Sequence, residues 1–316
     1  MKKTYTLIYN PHAGKNGATV AADRIAKRII AAGYQVQKAP TTRPGDATAL
    51  ALAAQSEVVV AIGGDGTINQ VVAGLVKRQH PPLLGIIPQG TVNNLAKVLH
   101  IPLLPALAVD DLLNGRPQPL DVGLVNDRVM ISTLALGVLA NAAVSVTQQA
   151  KQRLGPVVYL THGMQSLAKK QHWQLKITGG GQTWEQDAAF LLVTMTNSVG
   201  GFRNFAPQAR PDDGLFHVFV APRLTWQKTL LLAPYFLTGN FSKLPGMTYL
   251  QASALTITSA DARLRSRIDG DPSVRLPLHL QVVPDKVQVL TKPQLTERLA
   301  DAAGKLGPHL GSTSGH

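Results

Sequence analysis

Residues 58–76 read VVVAIGGDGTINQVVAGLV, an apolar, β-favouring run that breaks on Gly63-Gly64-Asp65-Gly66-Thr67 and restarts at once with helical spacing. A buried strand that ends on glycines and turns into a helix gathers bare backbone N–H groups at the positive end of that helix, an arrangement suited to a phosphate. Glycine lets a ligand approach the main chain without a Cβ in the way. Asp65 adds a carboxylate able to hold a magnesium ion or to take a proton. An isolated turn of this type also serves ordinary strand–helix connections, so its meaning depends on what surrounds it.

The surroundings repeat the strand–helix pattern. Thr6–Tyr9 reads as a strand and residues 11–17 as a loop, after which Val20, Ala21, Ile25 and Ile29 recur at helical spacing. Gly33 ends that helix, Tyr34–Gln37 is a second strand, and Gly45-Asp46 opens a helix through Ala54. Glu57–Ile62 is the third strand, Ile68–Lys77 its helix, and Leu83–Ile87 the fourth strand; PQGTVNN (88–94) and a helix through Leu99 follow. Alternating βα units predict a doubly wound parallel sheet with helices on both faces. Ligands on such sheets lie outside the carboxyl ends of the strands, where the loops after the first, third and fourth strands all open.

Near residue 120 the pattern changes. Gln118–Val125 and Arg128–Leu134 read as a hairpin around the Asn126-Asp127 turn. Helices are predicted at Val138–Lys151, Tyr159–Lys170 and Thr225–Leu237. Strands are predicted at Gln174–Ile177, Gln182–Asp187, Phe190–Thr196, Leu215–Val220, Tyr249–Thr258, Arg263–Ile268, Leu276–Gln281 and Lys286–Leu290. The fold class is α/β plus β: residues 1–122 form a parallel-sheet domain and residues 123–289 a β-sandwich-like one. A short helix, Gln294–Ala302, and a frayed tail, 304–316, end the chain.

Composition narrows the function classes. There are no cysteines, which removes disulfides and thiolate metal sites and fits a cytoplasmic protein. No apolar run reaches the ~20 residues that span a bilayer, and the N-terminus lacks the apolar core and cleavage site of a signal peptide. The 31 basic against 18 acidic residues give a net charge of +13. These bases are scattered, without a long basic tract or an RNA-binding aromatic signature, so nucleic acid is not the expected partner. A peripheral contact with an anionic membrane surface at its inner face fits better. The nine histidines include no pair at metal-ligand spacing, and Ser132, Ser145 and Ser198 lack a nucleophile-elbow context.

Four further segments accompany the glycine loop: Asn10-Pro11-His12-Ala13-Gly14 after the first strand; Gly90-Thr91-Val92-Asn93-Asn94 after the fourth; Gly200–Pro207 leading to Asp212-Asp213-Gly214-Leu215; and Ile268-Asp269-Gly270-Asp271. Their order and spacing resemble the diacylglycerol-kinase-type lipid kinases, specifically the bacterial soluble branch related to sphingosine and ceramide kinases. The resemblance runs from Tyr9 to about Leu290 and is most specific in GGDGTIN, PQGTVNN and APQARPDDGLFHV. It implies transfer of the ATP γ-phosphoryl group to a lipid alcohol in a cleft between a nucleotide-binding and a lipid-substrate domain. It also implies that the C-terminal segment (290–303) packs back on the first domain, and it is compatible with a homodimer.

Carried over motif by motif, the resemblance implies that Asn10, Pro11, His12, Ala13, Gly14 and Thr41 contact nucleotide. Gly64, Asp65, Gly66, Thr67, Ile68, Asn69 and Gln70 would wrap the phosphates, with Thr91 on the far side. Asp213, beside the backbone carbonyls of Arg210 and Leu215, would hold a structural Mg²⁺. Asp271 falls where the family has its general base, and Asp65 is the second catalytic candidate, the division of roles between them being open. No Walker-type lysine is present, so charge neutralisation falls to Mg²⁺, main-chain N–H groups and Lys15 or Arg203. The chain departs from the family pattern at Gln70, Asn94 and Asp271, where the family has Glu, Asp and Glu. Two alternatives stay open: a lipid- or nucleotide-binding regulator with weakened catalysis, and an NAD kinase, which shares GGDGT.

Overall fold

The computed structural model describes residues 2–12, 17–137, 172–199, 205–222, 235, 240–261 and 264–292. The helices expected at 138–151, 159–170 and 294–302, most of that at 225–237, and the tail lie outside these residues.

In the N-terminal part, β1 (Thr4–Tyr9), α1 (Gly17–Ala31), β2 (Gln35–Pro40), α2 (Asp46–Ala53), β3 (Val58–Gly63), α3 (Asp65–Val76) and β4 (Leu83–Pro88) alternate. The four strands are parallel in the order β4-β3-β1-β2. β3 is buried along its whole length, which is why its sequence is continuously apolar rather than alternating. α1 buries Ala18, Ala21, Ala22, Ile25, Ala26 and Ile29 along one face. From β1 the chain moves outward to β2 and then returns past β1 to β3. The winding therefore reverses between β1 and β3, and in open α/β sheets ligands bind at that reversal. Asn10 and Gly63-Gly64 stand there.

Two short helices follow, α4 (Asn94–Val98) and α5 (Pro105–Asn114). The sequence pattern missed α5 because Leu103, Leu104 and Leu107 are exposed and blur its buried face of Ala108, Val109 and Leu112. The remaining strands are β5 (Arg116–Val125), β6 (Arg128–Met130), β7 (Thr133–Gly137), β8 (Trp173–Gly179), β9 (Gln182–Thr194), β10 (Phe216–Pro222), β11 (Thr248–Ala252), β12 (Ala254–Ser259), β13 (Arg265–Ile268), β14 (Asp271–Arg275) and β15 (Leu278–Thr291). Pairing is antiparallel except among β1–β4 and between β15 and β4.

The expected hairpin is shorter than read. β6 ends at Met130, and Thr133–Gly137 leaves it to pair with β9 and β13. The two strands expected at 182–196 are one, β9. The two expected at 276–290 are likewise one, β15, carried across a register shift between Val283 and Val287. Asp121 bridges that irregularity by accepting the Asp285 N–H (2.9 Å). β15 joins the two parts of the mixed sheet, since it pairs with β12, β5 and β4. Its Val287, Val289 and Leu290 belong to the core of the N-terminal part, while Leu278, Leu280 and Val282 belong to a second core under β7–β13.

α3 packs on α2 so closely that only glycine fits at position 74. A Cβ there would run into Thr48 O and lie 2.7 Å from Ala51 Cβ. Gly74→Ala should therefore lower stability by about 1–2 kcal/mol, because overpacking outweighs the ~1 kcal/mol that alanine ordinarily adds in a helix. A lowered urea midpoint at unchanged slope would show it; a raised midpoint would contradict the packing.

Candidate functional site

At the carboxyl ends of β3 and β4 two loops meet backbone to backbone. A Cβ on Gly64 would lie 3.0 Å from Gly90 Cα, and one on Gly90 2.6 Å from Gly64 Cα. Glycine at both positions is thus a condition of the contact. Gln89 N–H extends the ladder by donating to Gly63 O (2.8 Å). The PQGTVNN loop closes on itself through Asn93, whose side chain accepts from Gly90 N–H and donates to Gly90 O, both at 2.8 Å. Asn93 takes a left-handed conformation (φ 51°), tolerable for asparagine. Thr91 is left exposed at the tip.

α3 begins at Asp65, three residues earlier than the sequence pattern suggested. The N–H groups of Asp65, Gly66 and Thr67 thus lie in the first turn, where no intrahelical acceptor exists. Ile68 differs: its side chain is fully buried and its N–H donates to Gly64 O (3.1 Å), so it offers a ligand nothing. Asp65 Oδ1 accepts Asn94 N–H (2.7 Å) and Leu95 N–H (3.4 Å), and the Asn93 N–H also favours the ionised carboxylate. Burial raises this carboxyl against the pull of those N–H groups and of Lys97.

Asn94 is buried and uses both ends of its amide. Nδ2 donates to Ser132 Oγ (2.6 Å) and Ser198 O (2.9 Å), while Oδ1 accepts from Ser198 Oγ (2.7 Å). A carboxylate at this position would face the Ser198 carbonyl oxygen, so the amide suits these partners better than an aspartate does.

Ser132 leads to the most heavily bonded carboxylate of the site. Asp269 Oδ1 accepts the N–H groups of Ser132 (2.9 Å) and Thr133 (2.8 Å); Oδ2 accepts Ile131 N–H (2.9 Å) and Asn69 Nδ2 (2.7 Å). Burial pushes this carboxyl up to about 6 although all four donors favour the ionised form. The bonds close a ring that runs Asp65–Asn94–Ser132–Asp269–Asn69 and back along α3. Asp269 and Gly270 have φ of 50° and 92°, the type I′ hairpin turn between β13 and β14. Asp271, just past the turn, is exposed.

A second cluster surrounds Asp213. Its Oδ2 accepts Arg210 N–H (2.8 Å) and lies 2.9 Å from His217 Nε2; Oδ1 accepts Leu215 N–H (3.0 Å). Burial works to raise this carboxyl, but His217 and the two N–H groups outweigh it and hold it below the usual range. His217 is fully buried, with Nδ1 2.7 Å from Tyr249 Oη. Asp121 Oδ2 accepts Gly214 N–H (2.6 Å), and burial, then the charges of Asp285 and Asp213, raise its carboxyl.

The residues expected at the site separate in space. Gly64–Asn69 and Asp271 are tied, through Asn94 and Asp269, by the hydrogen-bonded ring and the turn. Asn10 and His12 form a tight turn, Asn10 Oδ1 accepting His12 N–H (2.9 Å) with Pro11 between them. Thr41 is pinned beside them by its N–H to Tyr9 O (2.8 Å). Gln70 lies one turn into α3, where its carbonyl accepts from Thr48 Oγ1 (2.9 Å). Arg210, Asp213 and Leu215 form the separate second cluster. Ala13, Gly14, Lys15 and Arg203 lie outside the described residues. Sequence reasoning missed the structural roles of Asp269, Asp121, His217, Ser132 and Ser198. Only Asp269 carried a local signal, as the first residue of an Asp-Gly pair.

Two family models cover this architecture: the diacylglycerol kinase catalytic domain matches residues 4–125, and the YegS C-terminal NAD kinase beta sandwich-like domain matches residues 132–291. A curated diacylglycerol kinase of Bacillus subtilis strain 168 is 30% identical over 303 residues, 95% of this chain and all of that one. The chain belongs to the diacylglycerol kinase family. A Staphylococcus haemolyticus diacylglycerol kinase is likewise 30% identical over 294 residues, 92% of this chain and 89% of the relative. The fold is shared with a crystal structure of a Bacillus anthracis diacylglycerol kinase, at a TM-score of 0.73 and 21% identity, covering 92% of this chain and 97% of that one. The relatives named here are diacylglycerol kinases, and they do not favour the NAD kinase alternative.

The raised carboxyl of Asp269 has a sign. The unfolded chain ionises near 3.8 and the folded one near 6, so this group's contribution to stability falls as pH rises from about 4 to 6 and is level above. Asp269→Asn removes that pH dependence. It also sets an amide NH₂ against N–H donors, so the variant should be about 2–4 kcal/mol less stable at pH 7. Urea melts of both proteins from pH 4 to 8 measure the difference, and parallel pH curves would refute the assignment.

Proposed function

We propose that the protein transfers the γ-phosphoryl group of ATP to the hydroxyl of diacylglycerol or a related lipid alcohol. The observation that carries this reading is the ring that holds the carboxylate of Asp65 at a phosphate-suited helix start and ties the Asp271 turn to the same helix. The triphosphate lies against the first-turn N–H groups of Asp65, Gly66 and Thr67, flanked by Asn10–His12, Thr41 and Thr91. Asn69 and Gln70 complete that wall. Residues 1–122 serve the nucleotide and residues 123–289 the lipid.

Phosphoryl transfer requires that the acceptor hydroxyl be aligned with the γ-phosphorus and lose its proton. Asp271, exposed and without a hydrogen bond to its carboxylate among the described residues, takes that proton. Asp65, held by the N–H groups at the start of α4, orients the phosphate end. The ring keeps the two carboxylates at a fixed spacing, and the apolar second part receives the lipid tails. The positive charge of the chain favours transient contact with an anionic bilayer surface; no helix among the described residues is long and apolar enough to cross one.

Magnesium is tested against the second cluster. Asp213 is ionised, and three donors engage its roughly four acceptor sites, leaving one for a cation. Among the described residues no three His, Asp or Glu side chains converge on a common point. A hydrated Mg²⁺ held through one carboxylate, with the carbonyls of Arg210 and Leu215 as neighbours, fits this donor set. Bound there, it neutralises charge beside Asp121 and Asp285 and fixes the 210–215 loop.

The direct test supplies labelled ATP, Mg²⁺ and a panel of lipid alcohols in mixed micelles. Labelled diacylglycerol or a related product is expected; none from any lipid would remove the reading. Asp271→Asn and Asp65→Asn should each lower kcat by about 100- to 10,000-fold with the fold retained. Full activity in both variants would reverse the assigned roles.

Metal binding has a readout apart from turnover. Chelation should lower the Tm of the native chain, and Asp213→Asn should abolish that Mg²⁺-dependent shift. An equal shift in both proteins would place the ion elsewhere.

A further inference from the structure

Among the described residues Arg267 has an unexplained donor. Its Nε is closed to solvent and has no hydrogen-bond partner, and no ion pair or other hydrogen bond from the described residues engages its guanidinium. Buried polar groups without a partner are exceptions in folded proteins, and each asks for a reason. Other arginines here find acceptors: Arg28 in Asp110 and Ala106 O, Arg43 in Asp46, Arg78 in Ala54 O.

The position of Arg267 suggests the reason. It stands on β13 opposite Ala135 of β7 and Pro272 of β14. Ala135 packs against an apolar cluster that contains Phe190, Leu192, Phe205 and Phe219. Two residues along the chain is Asp269, which reaches Asn69 of α3. Asp269 follows in the turn that closes β13. Arg267 thus stands between the helix that starts at the glycine loop and an apolar cluster of the second part. The carboxylate nearest in sequence does not supply the missing acceptor, because four N–H donors already occupy the roughly four acceptor sites of Asp269.

We propose that Arg267 is a ligand-binding residue whose missing acceptor is a phosphate oxygen of a molecule lying between the glycine loop and the apolar cluster. A guanidinium fork matches a phosphate in geometry and charge. The phosphate belongs either to ATP or to the head group of an anionic lipid alcohol; both present the same oxygens. This inference rests on the lipid-kinase reading and adds a recognition element to it.

The experiment compares the native chain with Arg267→Gln and Arg267→Lys, after equal Tm values establish that the variants fold. KM is measured separately for ATP, for diacylglycerol and for phosphatidylglycerol in mixed micelles. If the lipid supplies the phosphate, the Gln variant raises KM for phosphatidylglycerol about 10-fold or more, leaves ATP and diacylglycerol unchanged, and is partly rescued by Lys. If ATP supplies it, KM for ATP rises with either lipid, and the calorimetric Kd for ATP weakens in step. Either result supports the proposal. Unchanged KM values for all three, or a fall in kcat alone, overturn it. Should the native chain turn over neither lipid, the kinase reading fails. ATP calorimetry and binding to phosphatidylglycerol micelles, native against Gln, then decide the role of Arg267: weakening of either keeps it and equality of both removes it.

Discussion

Asp269 accepts four N–H donors that no stretch of local chain brings together. Asn69 lies 200 residues away and the 131–133 corner about 137. These bonds hold three elements at one point: the helix that follows the glycine loop, the corner where the chain leaves β6 for β7, and the β13–β14 turn. Loss of any donor leaves a half-buried carboxylate with fewer partners, which is why such a group acts as a unit. The turn itself demands positive φ at Asp269 and Gly270, and a short polar side chain followed by glycine meets that demand. One dipeptide therefore sets both the shape of the hairpin and its attachment to the sheet.

A second constraint keeps the parts of the sheet in register. β15 runs from the second core into the first, and its irregular stretch around Asp285 is secured by Asp121. The same Asp121 accepts Gly214 N–H, so the 210–215 loop and the β15 irregularity share one carboxylate. The chain leaves the N-terminal part through β5 and returns to it through β15, and these two strands are paired along most of their length. Relative movement of the two parts must bend this pair or slide it, and both disturb its ladder. The loops at the site are thus presented by elements with little freedom of their own.

What the sequence revealed and what it concealed divide by range. The glycine loop was legible because strand period, glycine break and helix period all lie within nineteen residues. The parallel sheet followed from repetition of that unit. β9 and β15 were each read as two strands because polar or turn-forming residues, such as Pro284-Asp285, interrupt the apolar pattern locally, while long-range pairing carries the strand across. β14 escaped because five residues, Asp271–Arg275, with a proline among them give no alternation to read. The site itself was legible as motifs but not as a network. Nothing near Asn94 announces Ser132 or Ser198, and nothing near Asp213 says that the histidine four residues on turns inward to meet it.

The network also separates the acidic residues by task. Asp65, Asp121, Asp213 and Asp269 each accept at least two backbone N–H groups, so each fixes main chain in place. Asp271 has a carboxylate with no such duty, although it is separated from Asp269 by a single glycine. Two aspartates at one turn thus have opposite environments, one enclosed by four donors and one facing solvent, and environment is what assigns roles to chemically identical groups. In the proposed reaction the anchored member gives the turn its position, and the free member can gain and lose a proton without loosening the fold.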